Sequence, residues 1–183
     1  MHNPYYYIGA NPTADLIIVS PEGKILMGQR DDNSPACPGM WALPGGFVET
    51  LAKKGEVWKA GEETPDAAAI REVEEETGLV LEKDAVVHFV GIYEGNQRDP
   101  RDNEISWSKS HAYFYAIDEK TFNEQKDHMA GFDDLKDIRW IDIEEVLSME
   151  LAFDHKKIIV DALMQQNLLP ENYTETAKNK MKP

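Results

Sequence analysis

Pro44-Gly45-Gly46-Phe47-Val48, then Glu63, then Arg71-Glu72-Val73-Glu74-Glu75-Glu76-Thr77-Gly78-Leu79 is the stretch from which the fold and the chemistry are read. Thr64-Pro65 predicts a helix start, with Thr as N-cap and Pro at the first helical position, and Gly78 predicts its stop. Between them Ala67, Ile70, Val73 and Thr77 form an apolar stripe, and Glu72, Glu75 and Glu76 are expected to project to the other side. These three carboxylates stand at i, i+3 and i+4, where side chains on a helix are neighbours. Like charges so placed destabilise a helix unless a cation sits among them. Hard divalent cations take oxygen ligands, and Mg²⁺ in particular is held by a few carboxylates together with substrate phosphates. The pattern therefore points to a metal-dependent enzyme acting on a phosphate compound.

Outward from this helix, Asp15–Ser20 and Lys24–Arg30 are extended runs about Pro21-Glu22-Gly23 and predict a hairpin. Residues 31–39 are loop, Gly45-Gly46 permits a sharp turn or a close ligand approach, and Phe47-Val48 is a brief strand. Thr50–Ala60 lacks periodicity and is treated as an excursion. Val86–Tyr93, Ile105–Ile117 and Ile138–Ile141 predict strands, and Ile143–Met149 and Asp154–Asn167 helices. Residues 118–134 are expected to be irregular and mobile. One domain over residues 1–169 with a polar tail at 170–183 follows, and its fold class is α/β: a mixed sheet between helices, an α/β/α sandwich.

Composition narrows the partners. With 34 acidic against 19 basic residues, a formal charge of −15, nucleic acid is not an expected partner, because phosphate backbones are bound by clustered Lys and Arg. The same charge would repel a phosphorylated ligand unless cations or a local Arg cluster intervene. The single cysteine, Cys37, excludes an internal disulfide and suits a reducing compartment. No membrane-spanning run or signal segment is seen, so the cytoplasm is the expected location and no membrane partner is expected.

Glu63, seven residues, then Arg71-Glu72-Val73-x-Glu75-Glu76-x-Gly78-Leu79 resembles the signature of the Nudix hydrolases. Their box places five residues between its opening glycine and the first Glu; here sixteen separate Gly46 from Glu63, so eleven extra residues, around 50–60, lie inside it. Closure cost grows slowly with loop length, so such an insertion is tolerable, and it would alter the mouth of the site. Trp41–Glu49, the Arg98-Asp99-Pro100-Arg101 tetrad and Leu151-Ala152-Phe153-Asp154-His155 resemble the ADP-ribose pyrophosphatase branch of that superfamily, which includes enzymes and sensors that regulate NAD metabolism.

The resemblance implies Glu72 and Glu76 as metal ligands, Glu75 as a ligand or the base that deprotonates water, and the Gly45 carbonyl as a further ligand. It implies Arg71 paired with Glu63 to orient the carboxylates. The cofactor would be Mg²⁺, with Mn²⁺ as the alternative. A bare Glu-x-x-Glu-Glu is usually a solvated helix face; the flanking Gly, Glu63, Arg71 and Gly78 tip the balance here. Arg98 and Arg101 either grip a phosphate or ribose or merely pair within their loop. Trp41 and Phe47, like the Tyr5–Tyr7 run, are candidates for stacking on a base, although such aromatics are more often core. Asp154 reads as an ordinary N-cap and, with His155, as a pocket residue by resemblance only. Related enzymes supply an extra Glu from a late loop; Glu119 and Glu124 lie there.

A small-molecule nucleoside diphosphate is the implied partner: ADP-ribose, cleaved to AMP and ribose 5-phosphate, with another nucleoside diphosphate sugar or a dinucleotide as the runner-up, since the box fixes the reaction and not the attached group. A homodimer is compatible with the resemblance. A non-catalytic ADP-ribose sensor is the reading of a different kind, and would be expected to show a damaged carboxylate set and a basic DNA-binding domain.

Overall fold

The computed structural model describes residues 5, 7–82, 85–95, 97–132, 135–171 and 173. Its elements run β1 (Gly9–Val19), β2 (Lys24–Arg30), β3 (Trp41–Ala42), β4 (Gly45–Phe47), α1 (Pro65–Thr77), β5 (His88–Glu94), β6 (Ser106–Ala116), α2 (Glu119–Gln125), β7 (Leu135–Asp142), α3 (Ile143–Ser148) and α4 (His155–Gln165). β1 is central. It runs parallel to β6 from Gly9↔Ser106 to Val19↔Ala116 and antiparallel to β4 at Thr13↔Phe47, Ala14↔Gly46 and Asp15↔Gly45. β6 pairs antiparallel with β5, and β2 pairs antiparallel with both β7 and β3.

The expected hairpin is correct only at its tip. β1 and β2 meet at Val19↔Ile25 and then part, β2 taking β7 and β3 while β1 takes β6 and β4. The splay opens a cleft between the two halves of the sheet, into which the β3–β4 turn is set.

Alternation along β1 loads both faces, since successive strand side chains point to opposite sides. Ile17 and Val19 pack with Val146, Ile158, Ile159, Ala162 and Leu163 of α3 and α4. Ala14, Leu16 and Ile18 pack with Ala68, Ala69 and Val73 of α1 and Phe122 of α2. The sheet is thus mixed and lies between helices, as the α/β/α expectation has it.

Two helix expectations need correction. α1 begins and ends where its signals lie, with Pro65 at N1 and Gly78 left-handed at φ 72°, its N–H on the Glu74 carbonyl. Its buried face, however, is Ala68, Ala69, Val73, Glu76 and Thr77; Ala67 is exposed and Glu76 faces inward. Burial rotates toward the small alanines because they let the helix approach β1 closely. Residues 118–134 are not simply irregular: Asp118 caps α2 by accepting from the Thr121 N–H at 3.0 Å, and Phe122 packs edge-on against Trp140.

The excursion at 50–60 is a closed loop. Thr50 Oγ1 donates to the Lys59 carbonyl at 2.5 Å and accepts from the N–H groups of Ala52 and Lys59, and Thr50 bridges Ala60. It is also tied to the chain ahead of β1: the Ile8 N–H donates to the Glu56 carbonyl at 2.9 Å. Among the described residues no helix is long and apolar enough to cross a membrane.

Candidate active site

The β3–β4 turn and α1 face each other across a contact that only glycine permits. A Cβ on Gly46 would fall on the Glu72 carboxylate, and one on Gly45 (φ 155°) would collide with the Ala14 carbonyl and Asp15. The Gly45 N–H donates to Glu76 Oε2 at 2.8 Å. Glu76 is 6 % exposed, and burial, with the charges of Glu72 and Asp15 nearby, pushes its carboxyl up to about 8 against the help of that N–H. Burial raises Glu72 as well, opposed by Arg71.

Arg71 organises the rim. Its Nε donates to Glu63 Oε1 at 2.7 Å, Nη1 to Glu72 Oε1 at 2.9 Å and Glu75 Oε2 at 2.8 Å, and Nη2 to Glu63 Oε2 at 3.1 Å and the Phe47 carbonyl at 3.0 Å. Glu63 also accepts from the Glu49 N–H at 2.7 Å, and its carboxyl is held below the usual range chiefly by Arg71. The pairing of Arg71 with Glu63, expected by resemblance, is thus present and extends to both neighbouring carboxylates.

The three box carboxylates do not all converge. Glu72 and Glu76 face the glycine turn; Glu75 is exposed and held by Arg71. Among the described residues no three His, Cys, Asp or Glu side chains form a ready-made cation cage. What the site offers is two carboxylates beside a backbone turn, Glu72 shared with Arg71 and Glu76 buried on the Gly45 N–H. That donor set suits Mg²⁺, which takes one or two carboxylates and completes its shell with water and substrate phosphates. Glu119 and Glu124 sit on α2, outside the cavity at the carboxylates.

That cavity, about 160 Å³, runs from Glu72, Glu76 and Gly45 to Arg30, Arg98 and Arg101. Three of the chain's five arginines line it, together with the carboxylates of Asp15, Glu72, Glu76 and Asp99. Arg98 is bound to Asp154 Oδ1 through Nε (2.9 Å) and Nη2 (2.6 Å) and to Ser108 Oγ at 3.0 Å; Arg101 forks onto Asp99. Both arginines are therefore at the cavity and paired within it. Asp154 is not the side-chain cap expected of it: it makes no cap bond to α4 and serves Arg98 instead. Burial opposes ionisation of Asp99, but Arg101 and the Tyr5 hydroxyl outweigh it and hold the carboxyl low.

Phe47 is on the cavity wall, 38 % exposed. Trp41 is not; its ring packs on the core beside α4, with the Arg139 guanidinium carbon 5.4 Å from the ring centroid.

Sequence reasoning missed Asp15, Arg30 and Phe153. Asp15 is 6 % exposed and accepts from the Ser110 hydroxyl, with His155 Nε2 at 3.7 Å from its Oδ1. A charged residue opening a β-branched run was the available signal. Phe153 takes φ 54°, an uncommon backbone state for a bulky residue, and its ring lies between His155 and the Arg30 guanidinium.

In this α/β/α sandwich the glycine turn is closed by Glu72 and Glu76 and faced across the cavity by the partly buried Arg30, Arg98 and Arg101. The chain belongs to the NUDIX domain family, whose model matches residues 9–162. It is 35% identical over 150 residues to the ADP-ribose pyrophosphatase of Methanocaldococcus jannaschii, covering 82% of this chain and 72% of that protein. It is 32% identical over 162 residues to the ADPR responsive transcriptional repressor NtrR of Acinetobacter baylyi, covering 85% of this chain but only 54% of the repressor. The NUDIX domain of Shewanella oneidensis NrtR, solved with ADP ribose, shares the fold at TM-score 0.66 and 24% identity, over 90% of this chain and 94% of that one.

Proposed function

We propose that this chain is a divalent-metal-dependent hydrolase that cleaves the diphosphate of ADP-ribose to AMP and ribose 5-phosphate, with Mg²⁺ as the metal and Mn²⁺ as the alternative. One observation carries the reading: Glu72 and Glu76 are pressed against the Gly45–Gly46 turn on one side of a cavity whose other side is Arg30, Arg98 and Arg101. The 35% identity to an ADP-ribose pyrophosphatase supports the substrate.

Glu72, Glu76 and the Gly45 carbonyl would hold the metal, which when bound neutralises developing charge on the phosphate and lowers the pKa of water. Arg98 and Arg101, with Arg30, grip the anionic ligand through their donor forks. Arg71 holds Glu63, Glu72 and Glu75 in place, and Glu75, the one box carboxylate left exposed, takes the proton from the attacking water.

The test is incubation with Mg²⁺ and a panel of ADP-ribose, ADP-glucose, GDP-mannose and NADH, with products identified by mass spectrometry in ¹⁸O-water. AMP and ribose 5-phosphate from ADP-ribose alone support the reading; no cleavage of any diphosphate overturns it. The 32% identity to an ADP-ribose-responsive repressor favours a second reading, a sensor that binds ADP-ribose and acts on DNA. It would be revealed by operator binding that responds to ADP-ribose without turnover.

A further inference from the structure

Arg98 and Arg101 reach the cavity by different means. Arg98 is tied to distant elements, through Asp154 at the start of α4 and Ser108 on β6. The Arg101 bonds are local: Nε and Nη2 go to the Asp99 carboxylate two residues back, and Nη1 is the donor not committed to it. A local pair fixes two side chains on each other. The direction in which Nη1 faces the cavity then depends on what holds the turn that carries both.

That hold comes from the other end of the chain. Tyr5 is 4 % exposed; the Arg101 guanidinium carbon lies 5.3 Å from its ring centroid, and the ring meets Phe47 edge-on at 6.3 Å. Its hydroxyl donates to Asp102 Oδ1 at 2.6 Å, the same oxygen that accepts the Ser108 N–H at 2.8 Å. Burial and that carboxylate both push the phenol above its ordinary 10, so it stays a donor. Three residues on, the segment is clamped from two sides. The Ile8 N–H donates to the Glu56 carbonyl at 2.9 Å and Ile8 bridges Val57, both in the inserted loop, while the Gly9 N–H donates to the Ile105 carbonyl at 2.8 Å.

We propose that Tyr5 is a positioning residue that aims Arg101 at the anionic ligand, and that the residues lengthening the box serve to anchor the segment carrying Tyr5. The ring faces the guanidinium and the hydroxyl pins the turn through Asp102, so the two contacts fix Arg101 from one side while Asp99 fixes it from another. The identity of the ligand rests on the hydrolase reading; the contacts do not.

The experiment compares wild type, Tyr5→Leu, Arg101→Met and the double variant by kcat and KM for ADP-ribose in Mg²⁺. Tyr5→Leu should raise KM about 5- to 30-fold, the equivalent of about 1–2 kcal/mol for a partly desolvated cation–π contact, with kcat within about twofold of wild type. Tyr5→Phe keeps the ring and should stay within about threefold in KM. On the Arg101→Met background, Tyr5→Leu should change KM less than about twofold, because its effect passes through the guanidinium. An equal rise on both backgrounds, or no rise in Tyr5→Leu, overturns the assignment. Replacing residues 51–59 by Asn-Gly, which closes Thr50 and Ala60 with a two-residue turn, should raise KM as Tyr5→Leu does; an unchanged KM removes the anchoring role of the loop. If wild type binds ADP-ribose by calorimetry and leaves it intact, the hydrolase reading falls, and the same cycle on Kd decides the role of Tyr5. A wild-type chain that neither binds nor cleaves ADP-ribose overturns both.

Discussion

The Leu43 N–H donates to Nδ1 of His155 at 2.9 Å, joining residues 112 positions apart in the core beneath the glycine turn. With Nδ1 an acceptor, the neutral ring carries its proton on Nε2, toward Asp15. A second tie runs beside it, from the Ala152 N–H to the Trp41 carbonyl at 2.8 Å. The start of α4 therefore clamps the strand that leads into Gly45, and the position of the Glu76 partner depends on a histidine that need not touch substrate.

His155→Ala should cost about 2–4 kcal/mol in urea unfolding, from the void and from the stranded Leu43 N–H. The pH dependence has a definite sign. Burial, reinforced by Arg98 and Arg30 and opposed by Asp15 and Asp154, lowers the His155 pKa below its ordinary 6.5. The unfolded chain then binds a proton the folded chain refuses, so this contribution is complete above about 6.5 and is lost as pH falls from there toward the folded value. A denaturation series from pH 7.5 to 5 should show a steeper decline for wild type than for His155→Asn.

Arg71→Lys should lower turnover at least tenfold and stability by about 1–3 kcal/mol. Arg71 serves five acceptors through a planar fork, and a lysine has neither the geometry nor the number of directed donors to replace it. Steady-state kinetics with thermal melts would separate the two losses; unchanged turnover would show that the rim does not orient the carboxylates.

Glu76→Gln keeps an acceptor for the Gly45 N–H and removes a charge that burial disfavours. The metal-free variant should melt no lower than wild type, while its rise in Tm on adding Mg²⁺ disappears and hydrolysis falls by at least a hundredfold. Glu75→Gln should abolish turnover but retain the Mg²⁺-induced rise. Near-normal activity in both variants would dismiss the carboxylate site.

How far the sequence carried these conclusions differs from element to element. Thr64-Pro65 and Gly78 mark α1 because caps act locally, through groups within one turn of the helix end. Glu72 and Glu76 are neighbours by the spacing of one helix, whereas the Arg71–Glu63 pair was expected from the resemblance alone. The rotation that exposes Ala67 and buries Glu76 is set by how closely α1 meets β1, which no window within α1 records. Asp15, Arg30 and His155 come from three distant elements; the resemblance of the 151–155 segment pointed to His155, whereas the meeting of Asp15 and Arg30 with it depends on how β1 and β2 part. The α2 helix did carry a local sign, Asp118 as a cap, outweighed by a lone apolar residue, Phe122, in a seven-residue segment.

The Arg98–Asp154 pair distinguishes a structural arginine from one that binds ligand. Arg98 is 6% exposed in its side chain and Asp154 23%, and two donors of the guanidinium converge on one oxygen. Removing one partner of a fully buried pair costs about 3–5 kcal/mol, mostly from the charge left behind. Partial exposure of Asp154 lets water recover some of this, so Asp154→Ala should lose about 2–3 kcal/mol. Arg98→Met leaves only the more exposed carboxylate and should cost less in stability, yet raise KM for ADP-ribose at least tenfold. The double variant should regain part of the stability lost in Asp154→Ala while keeping the high KM, because no buried charge is then stranded but the donor fork is still gone. If KM in Arg98→Met is unchanged, Arg98 only anchors α4 to its loop, and the anionic end of the ligand is held by Arg30 and Arg101.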